Sequence, residues 1–486
     1  MEQMPASEQN TLSSDQTDQN YTKPFITIIF LFFMWGFITV MNDVLIPHLK
    51  AVFDLSYFQA ALVQFAFFGA FFIVSLLYFL ISVSKGDIIS KLGYKNGIII
   101  GLILCGLGCV LFYPAAQYEK YGFFLSALFV LASGVTILQI AANPYAAILG
   151  KPETASSRLN LAQGFNSLGT TLAPFIGALL IYKVFSDGVV SVESIKVPYL
   201  IYGGVFVLLA LLIKVSHLPT FVNKDKILKG AGALKYNHLL FGMGAIFAYV
   251  GAEVSIGSFL INFFALDSIM GMDESQGGIY LSYYWGGAMI GRFLGAISMS
   301  DIQKTTTKYL WMALSSIAVF GFVYLMTAIR NEDGLFLMKF LSFQDVALFI
   351  LFLILNYGCF VIGKSNPSSI LKIFSLAVIG LLLIMVLFDG ALAFWAAISI
   401  GLFNSIMWSN IFTLAIKGLK EHTSQGSSLL VMMIVGGAIF PPIQGALADI
   451  VGIQNSFLLP VICYIYLFFF GWKGYKTSVK SDLANS

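Results

Sequence analysis

Apolar residues run along this chain in long blocks separated by short polar segments, with neither the alternation of a half-buried strand nor the one-sided stripe of a surface helix. A helix needs about 20 apolar residues to cross a hydrocarbon core about 30 Å thick. Lipid offers backbone groups no hydrogen-bond partners, so runs of this length are read as helices. The first half predicts six, at 24–50, 57–82, 94–114, 121–149, 157–183 and 197–217. A polar, lysine-bearing stretch follows, and the second half predicts eight: 237–264, 276–300, 308–329, 346–363, 369–388, 390–416, 427–450 and 455–472.

The charge pattern supports an even count. With the N-terminus in the cytoplasm, 20 of the 27 Lys and Arg residues fall on the cytoplasmic side, six fall outside, and Arg292 lies within a span. Removing one helix would invert every later loop and erase that bias. A repeat links the halves: Pro174-Phe-Ile-Gly177-Ala-Leu179 reads against Pro442-Ile-Gln-Gly445-Ala-Leu447, each following a polar loop rich in Thr and Ser. Related halves joined by a cytoplasmic linker are an architecture of alternating-access transporters. The expected fold is therefore all-α, about 14 transmembrane helices made of two six-helix halves and an extra pair in the second. The extra pair is expected within 310–388. The expected units are a disordered tail over 1–22, an N-terminal bundle over 23–217, a linker over 218–236, a C-terminal bundle over 237–475 and a tail over 476–486. Both termini are expected in the cytoplasm, and the first tail lacks a signal-peptide pattern.

Composition narrows the function. Hydrophobic residues make up 58% of the chain and charged residues 10%, with 46 phenylalanines and a mean hydropathy of +0.86. That excludes a water-soluble enzyme or a disordered scaffold. A net charge of +3 without a basic, aromatic-interleaved stripe argues against nucleic acid. The four cysteines sit in apolar runs as packing thiols, and no spacing suggests a disulfide framework, a metal or another cofactor. Gly358-Cys-Phe-Val-Ile-Gly363-Lys364-Ser365 fits the phosphate-loop pattern in letters only. Its core is apolar and it ends a membrane helix, so no nucleotide site is expected. Gly287, Gly291 and Gly295 repeat every four residues, a spacing that close helix packing explains.

Ionisable groups at membrane depth are costly and mark functional positions. Three stand out: Asp43 late in the first span, Glu253 in the seventh and Arg292 in the eighth. A structural ion pair with Arg292 is the alternative to a carboxylate facing a cavity. Gln139 and Asn143 share a face of the fourth span, and Gln163 and Asn166 share one of the fifth. With Trp35, Tyr284, Trp285 and Trp408, these amides suit a neutral, polyhydroxylated ligand such as a sugar. An anionic substrate would call for several buried cations.

At these residues the chain resembles the fucose–galactose–glucose symporter family of the major facilitator superfamily, and most its glucose/galactose transporter branch. The resemblance rests on Asn42-Asp43 with Leu45-Ile-Pro47, on Tyr57-Phe-Gln59-Ala-Ala-Leu-Val-Gln64, and on Ala141-Ala-Asn143-Pro144-Tyr145. It continues through Ala155-Ser-Ser-Arg158-Leu-Asn-Leu-Ala-Gln163-Gly-Phe-Asn166-Ser, Gly401-Leu-Phe-Asn404-Ser-Ile-Met407 and Ser424-Gln-Gly-Ser-Ser428. The superfamily's loop between spans 2 and 3 is degenerate here, with Ser90 where its acid usually stands. The resemblance implies that Asp43, Trp35, Gln163, Asn166 and Trp408 hold the sugar, with Gln139 and Asn143 lining the pocket. The fucose symporter carries its coupling proton on a glutamate where this chain has Gln139, and glutamine cannot titrate. Where that symporter has a glutamine in span 7, this chain has Glu253, which is therefore assigned to coupling along with Asp43. The expected function is import of a neutral hexose, glucose or galactose, across a bacterial inner membrane, driven by a proton or sodium gradient. Its partners are then the sugar, the cation and the lipid bilayer. Fucose or N-acetylglucosamine import and a non-transporting sugar sensor are the alternatives.

Overall fold

A computed structural model describes residues 22–55, 57–180, 192–219, 229–332 and 335–477, and between 42 and 47 it describes the side chain of Leu45 alone. Most of the tails expected over 1–22 and 476–486, and the middle of the linker, lie outside the described residues. In the first half the helices are α1 (Thr22–Phe53), α2 (Tyr57–Lys85), the short α3 (Ile88–Leu92), α4 (Tyr94–Tyr118), α5 (Tyr121–Ile148), α6 (Ala155–Leu179) and α7 (Glu193–Val215). The second half begins with α8 (Asn237–Phe264), α9 (Glu274–Ser298) and α10 (Thr305–Ala328). An antiparallel hairpin follows, β1 (Ile329–Glu332) and β2 (Leu335–Met338), with Ile329 opposite Met338. Then come α11 (Phe343–Ile362), α12 (Pro367–Leu387), α13 (Gly390–Asn404), α14 (Met407–Ile416), α15 (Thr423–Met432), α16 (Gly436–Val451), α17 (Ile453–Ser456) and α18 (Leu458–Phe469).

Local chemistry sets several boundaries. Ser342 and Asp345 form a reciprocal capping box that starts α11. Asn366 accepts from the amides of Ser368 and Ser369 at the start of α12, with Pro367 in the first turn, where its missing N–H costs nothing. Asp87 caps α3, its Oδ1 accepting from Ser90 N at 2.8 Å and from Tyr78 Oη at 2.9 Å. The loop that lacks its usual acid at Ser90 thus has a buried carboxylate three residues earlier, tied to α2.

Among the described residues, twelve helical segments are long and apolar enough to cross a bilayer, and the chain is an integral membrane protein. The expected count of about fourteen is not reached by length and hydropathy alone. The two long helices that fall short are α6 and α9, each of 25 residues. The cause is polarity: α6 carries Arg158, Asn160, Gln163 and Asn166, and α9 carries Arg292. These two helices pack against each other across the halves.

Packing repeats between the halves. In the first, α1 runs along α6, and α4 lies against α5 and α7. In the second, α8 runs along α16, and α12 lies against α13 and α18. That leaves α10, packed on α9, and α11, packed on α9 and α13, without counterparts. Leu310, Trp311 and Ile317 of α10 and Ile354 and Ile362 of α11 point outward, as a lipid-facing surface requires.

The glycine stripe of α9 serves packing. Gly287 meets Leu402, Gly291 meets Ser405 and Gly295 meets Ile406, all on the α13–α14 segment. The approach is reciprocal, because a Cβ on Gly401 would lie 1.9 Å from the carbonyl oxygen of Tyr284. The phosphate-loop look-alike forms the last turn of α11, with Lys364 and Ser365 in left-handed conformations (φ 49° and 58°). A helix C-terminus presents carbonyls, the wrong polarity for phosphate. All four cysteines are free thiols.

Gly401→Ala tests the close approach of α9 and α13. Overpacking typically costs about 1–3 kcal/mol. Thermal unfolding in detergent should show a lower midpoint for this variant. Ile317→Ala, on the outward side of α10, should leave the midpoint close to wild type. An unchanged midpoint in Gly401→Ala would contradict the contact.

Candidate functional site

The centre of the second half is built around an interrupted helix. The segment from Gly390 to Ile416 breaks at Ser405 and Ile406, between α13 and α14. Side chains from two neighbouring helices take up the carbonyls at the break. Tyr249 Oη lies 3.0 Å from the Asn404 carbonyl oxygen, and Arg292 Nε donates to that of Ser405 at 3.1 Å. Without such partners, carbonyls at this depth would be left unsatisfied.

Glu253 stands one helical turn beyond Tyr249 on α8, and its Oε1 is 2.6 Å from Tyr249 Oη. Around them, Tyr284 donates to the main-chain oxygen of Glu253 at 3.2 Å, and Asn404 Nδ2 donates to Tyr284 Oη at 3.1 Å. Tyr464 of α18 donates to Asn404 Oδ1 at 2.6 Å. Tyr249, Tyr284 and Tyr464 are buried, while Glu253 is partly exposed. The ion pair considered for Glu253 and Arg292 is not among the salt bridges of the described residues. Arg292 instead bonds neutral oxygens, the Ser405 carbonyl and, across the halves, the Ser167 hydroxyl.

In the first half, Gln163 Nε2 approaches Asn143 Oδ1 at 3.5 Å, bringing the amides of α5 and α6 together. Asn143 Nδ2 is buried and has no hydrogen-bond partner among the described residues. Gln139 lies one turn from Asn143 and is also buried. Asn166 Nδ2 donates to the Phe32 carbonyl at 3.0 Å, docking α6 on α1. Trp35 is buried, its ring 5.0 Å from that of Phe32, and Trp408 stacks on Phe412 at 5.1 Å. Asp43 is on α1, but its side chain lies outside the described residues.

The halves meet at the end that carries Lys85 and Lys151. Ser156 Oγ is 2.7 Å from Thr413 Oγ1, and Asn160 Nδ2 donates to Asn410 Oδ1 at 3.3 Å. Ser157 donates to the Ala296 carbonyl at 2.5 Å. Gln425 Nε2 donates to Ser82 Oγ and to the Gly230 carbonyl, both at 3.1 Å, while its Oε1 accepts from Ala233 N at 2.9 Å. At the rim, Lys151 pairs with Asp301 at 2.9 Å, and the carboxylate raises the ammonium above its ordinary range.

Glu253 and Arg292 stand out in the sequence as parts of the site, whereas Tyr249, Tyr464, Ser167 and Gln425 do not. The spacing of Tyr249, four residues before Glu253, was the signal available for one of them. The others come from distant helices and leave no local pattern.

Polar groups that converge between two packed sets of membrane helices are the arrangement of a membrane transport protein, and the relatives below are named as transporters. The Major Facilitator Superfamily model matches residues 25–371, and the chain belongs to that family. It is 44% identical over 475 residues to the glucose/galactose transporter of Brucella abortus biovar 1 (strain 9-941), covering 96% of this chain and 98% of that one. It is 30% identical to the L-fucose-proton symporter of Escherichia coli (strain K12), covering 93% of each. Among solved structures it is similar to the transporter FucP in the outward conformation, at 29% identity and a TM-score of 0.72, covering 94% of this chain and 99% of that one.

Arg292→Lys keeps the charge but loses the planar fork that reaches both oxygens. A hydrogen bond from a charged group is worth about 1.5–3 kcal/mol. The variant should unfold at a lower temperature in detergent; a wild-type midpoint would show that neither bond contributes to stability.

Proposed function

We propose that the chain imports a neutral hexose, glucose or galactose, by alternating access coupled to a proton gradient. The observation that carries this reading is the 44% identity, over nearly the whole length, to a protein named a glucose/galactose transporter. The proton follows from the relative named an L-fucose-proton symporter; sodium is the other cation a carboxylate could take. The side chains are of a kind that supports it. Asn143 and Gln163 are neutral, and the buried Asn143 Nδ2 is a donor suited to a sugar hydroxyl.

In this reading Asp43, Trp35, Gln139, Asn143, Gln163, Asn166 and Trp408 serve the sugar, Glu253 and Asp43 serve coupling, and Arg292 ties the halves. The units are the bundles over 23–217 and 237–475, with α10, α11 and their hairpin as the inserted pair, which makes fourteen spans when α6 and α9 are counted. The lysine-rich end faces the cytoplasm of a bacterial cell, as the positive-inside bias supports. The seam at that end then closes the inner side, so the arrangement faces outward.

The test is uptake of labelled glucose, galactose, fucose and N-acetylglucosamine in cells without their own hexose importers, with pH and sodium gradients imposed separately. Accumulation of glucose or galactose that collapses with the pH gradient is expected. Binding without uptake, from protein shown to reach the membrane, would replace transport with sensing. Glu253→Gln should abolish accumulation while retaining sugar exchange; full gradient-driven accumulation by this variant would remove Glu253 from coupling.

A further inference from the structure

The hydroxyl of Tyr249 carries one proton and faces two acceptors. One is the Asn404 carbonyl oxygen at 3.0 Å, which can only accept; the other is Glu253 Oε1 at 2.6 Å. The neighbouring hydroxyls have no proton to spare for either. Tyr464 gives its proton to Asn404 Oδ1, Asn404 gives an amide proton to Tyr284, and Tyr284 gives its own to the Glu253 main-chain oxygen. Both contacts of Tyr249 are hydrogen bonds only if a second proton is present, and the group able to hold it is the Glu253 carboxyl. The groups acting on that carboxyl are Arg292 and Tyr284 from α9, Tyr249 from its own helix and Tyr464 from α18.

We infer that Glu253 is protonated in this closed-seam state and that Tyr249 reports its proton to the break between α13 and α14. With the proton on, Glu253 donates to Tyr249 and Tyr249 donates to Asn404. When the proton leaves, the Tyr249 hydroxyl turns to the carboxylate, the stronger acceptor. The Asn404 carbonyl then loses its partner at the point where the helix is interrupted. Beyond that break, α14 carries Asn410 and Thr413, which bond to Asn160 and Ser156 of the other half. One proton at Glu253 is thereby linked to the seam through a single hydroxyl. Tyr249 is a positioning residue in this scheme, and the scheme rests on the proposed reading of the chain as a proton-coupled transporter.

The experiment is infrared difference spectroscopy of purified protein across a pH titration, together with spin-label distances across the seam, for wild type, Glu253→Gln and Tyr249→Phe. The expected result has three parts. Wild type shows the carbonyl stretch of a protonated carboxylic acid, and Glu253→Gln removes it. In wild type the seam distance changes over the pH range in which that band disappears. In Tyr249→Phe the band shifts and the seam distance no longer follows pH. Absence of a band that Glu253→Gln removes would overturn the inference, as would a seam in Tyr249→Phe that still follows pH as in wild type. If Tyr249→Phe does not fold, the first two parts decide. A relay that behaves as expected in protein that moves no sugar would overturn the sugar reading instead, so the two failures are distinguishable.

Discussion

An interrupted helix inside a bilayer leaves carbonyls that water cannot reach, and the middle of this molecule is organised around satisfying them. Tyr249 and Arg292 approach the break between α13 and α14 from two helices, and each brings a second commitment with it. Tyr249 is bound to Glu253, and Arg292 to Ser167 of the other half. Gly287, Gly291 and Gly295 let α9 come close enough for Arg292 to reach. Small residues, a broken helix and an arginine bonded to neutral oxygens form one arrangement.

The same arrangement explains why charge is so sparse at the centre. A buried ion pair must overcome the desolvation of both partners, whereas a guanidinium that donates to neutral oxygens adds no second buried charge. Glu253 is left to a tyrosine cage, where its protonation state can vary without breaking an ion pair.

Much of the fold was legible because lipid imposes a length. Spans such as 121–149 and 237–264 agree with α5 and α8 to within a residue, since apolar runs and helix lengths answer to the same bilayer thickness. The hairpin between α10 and α11 was not legible, being short and outside the spans. Nor was the break at Ser405 and Ile406, because no proline marks it and the polar pair Asn404-Ser405 is too short to divide a span. Glu253 and Arg292 were legible as costly residues, but their hydrogen bonds go to a tyrosine and to neutral oxygens instead of to each other. Sequence distance hides partners such as Ser167 and Tyr464, which tertiary packing alone brings in.

The seam between the halves has a consequence for how the molecule responds to its surroundings. At the end that carries Lys85 and Lys151 its buried contacts join hydroxyls, amides and carbonyls, and the ion pair at its rim, Lys151 with Asp301, is largely exposed. Exposed charges are screened by salt, with a Debye length of about 8 Å at physiological ionic strength, while neutral contacts are not. These buried contacts are therefore nearly indifferent to the ionic strength of the solution that this end faces. Added salt would weaken the Lys151–Asp301 pair at the rim and leave the neutral contacts behind it as they are.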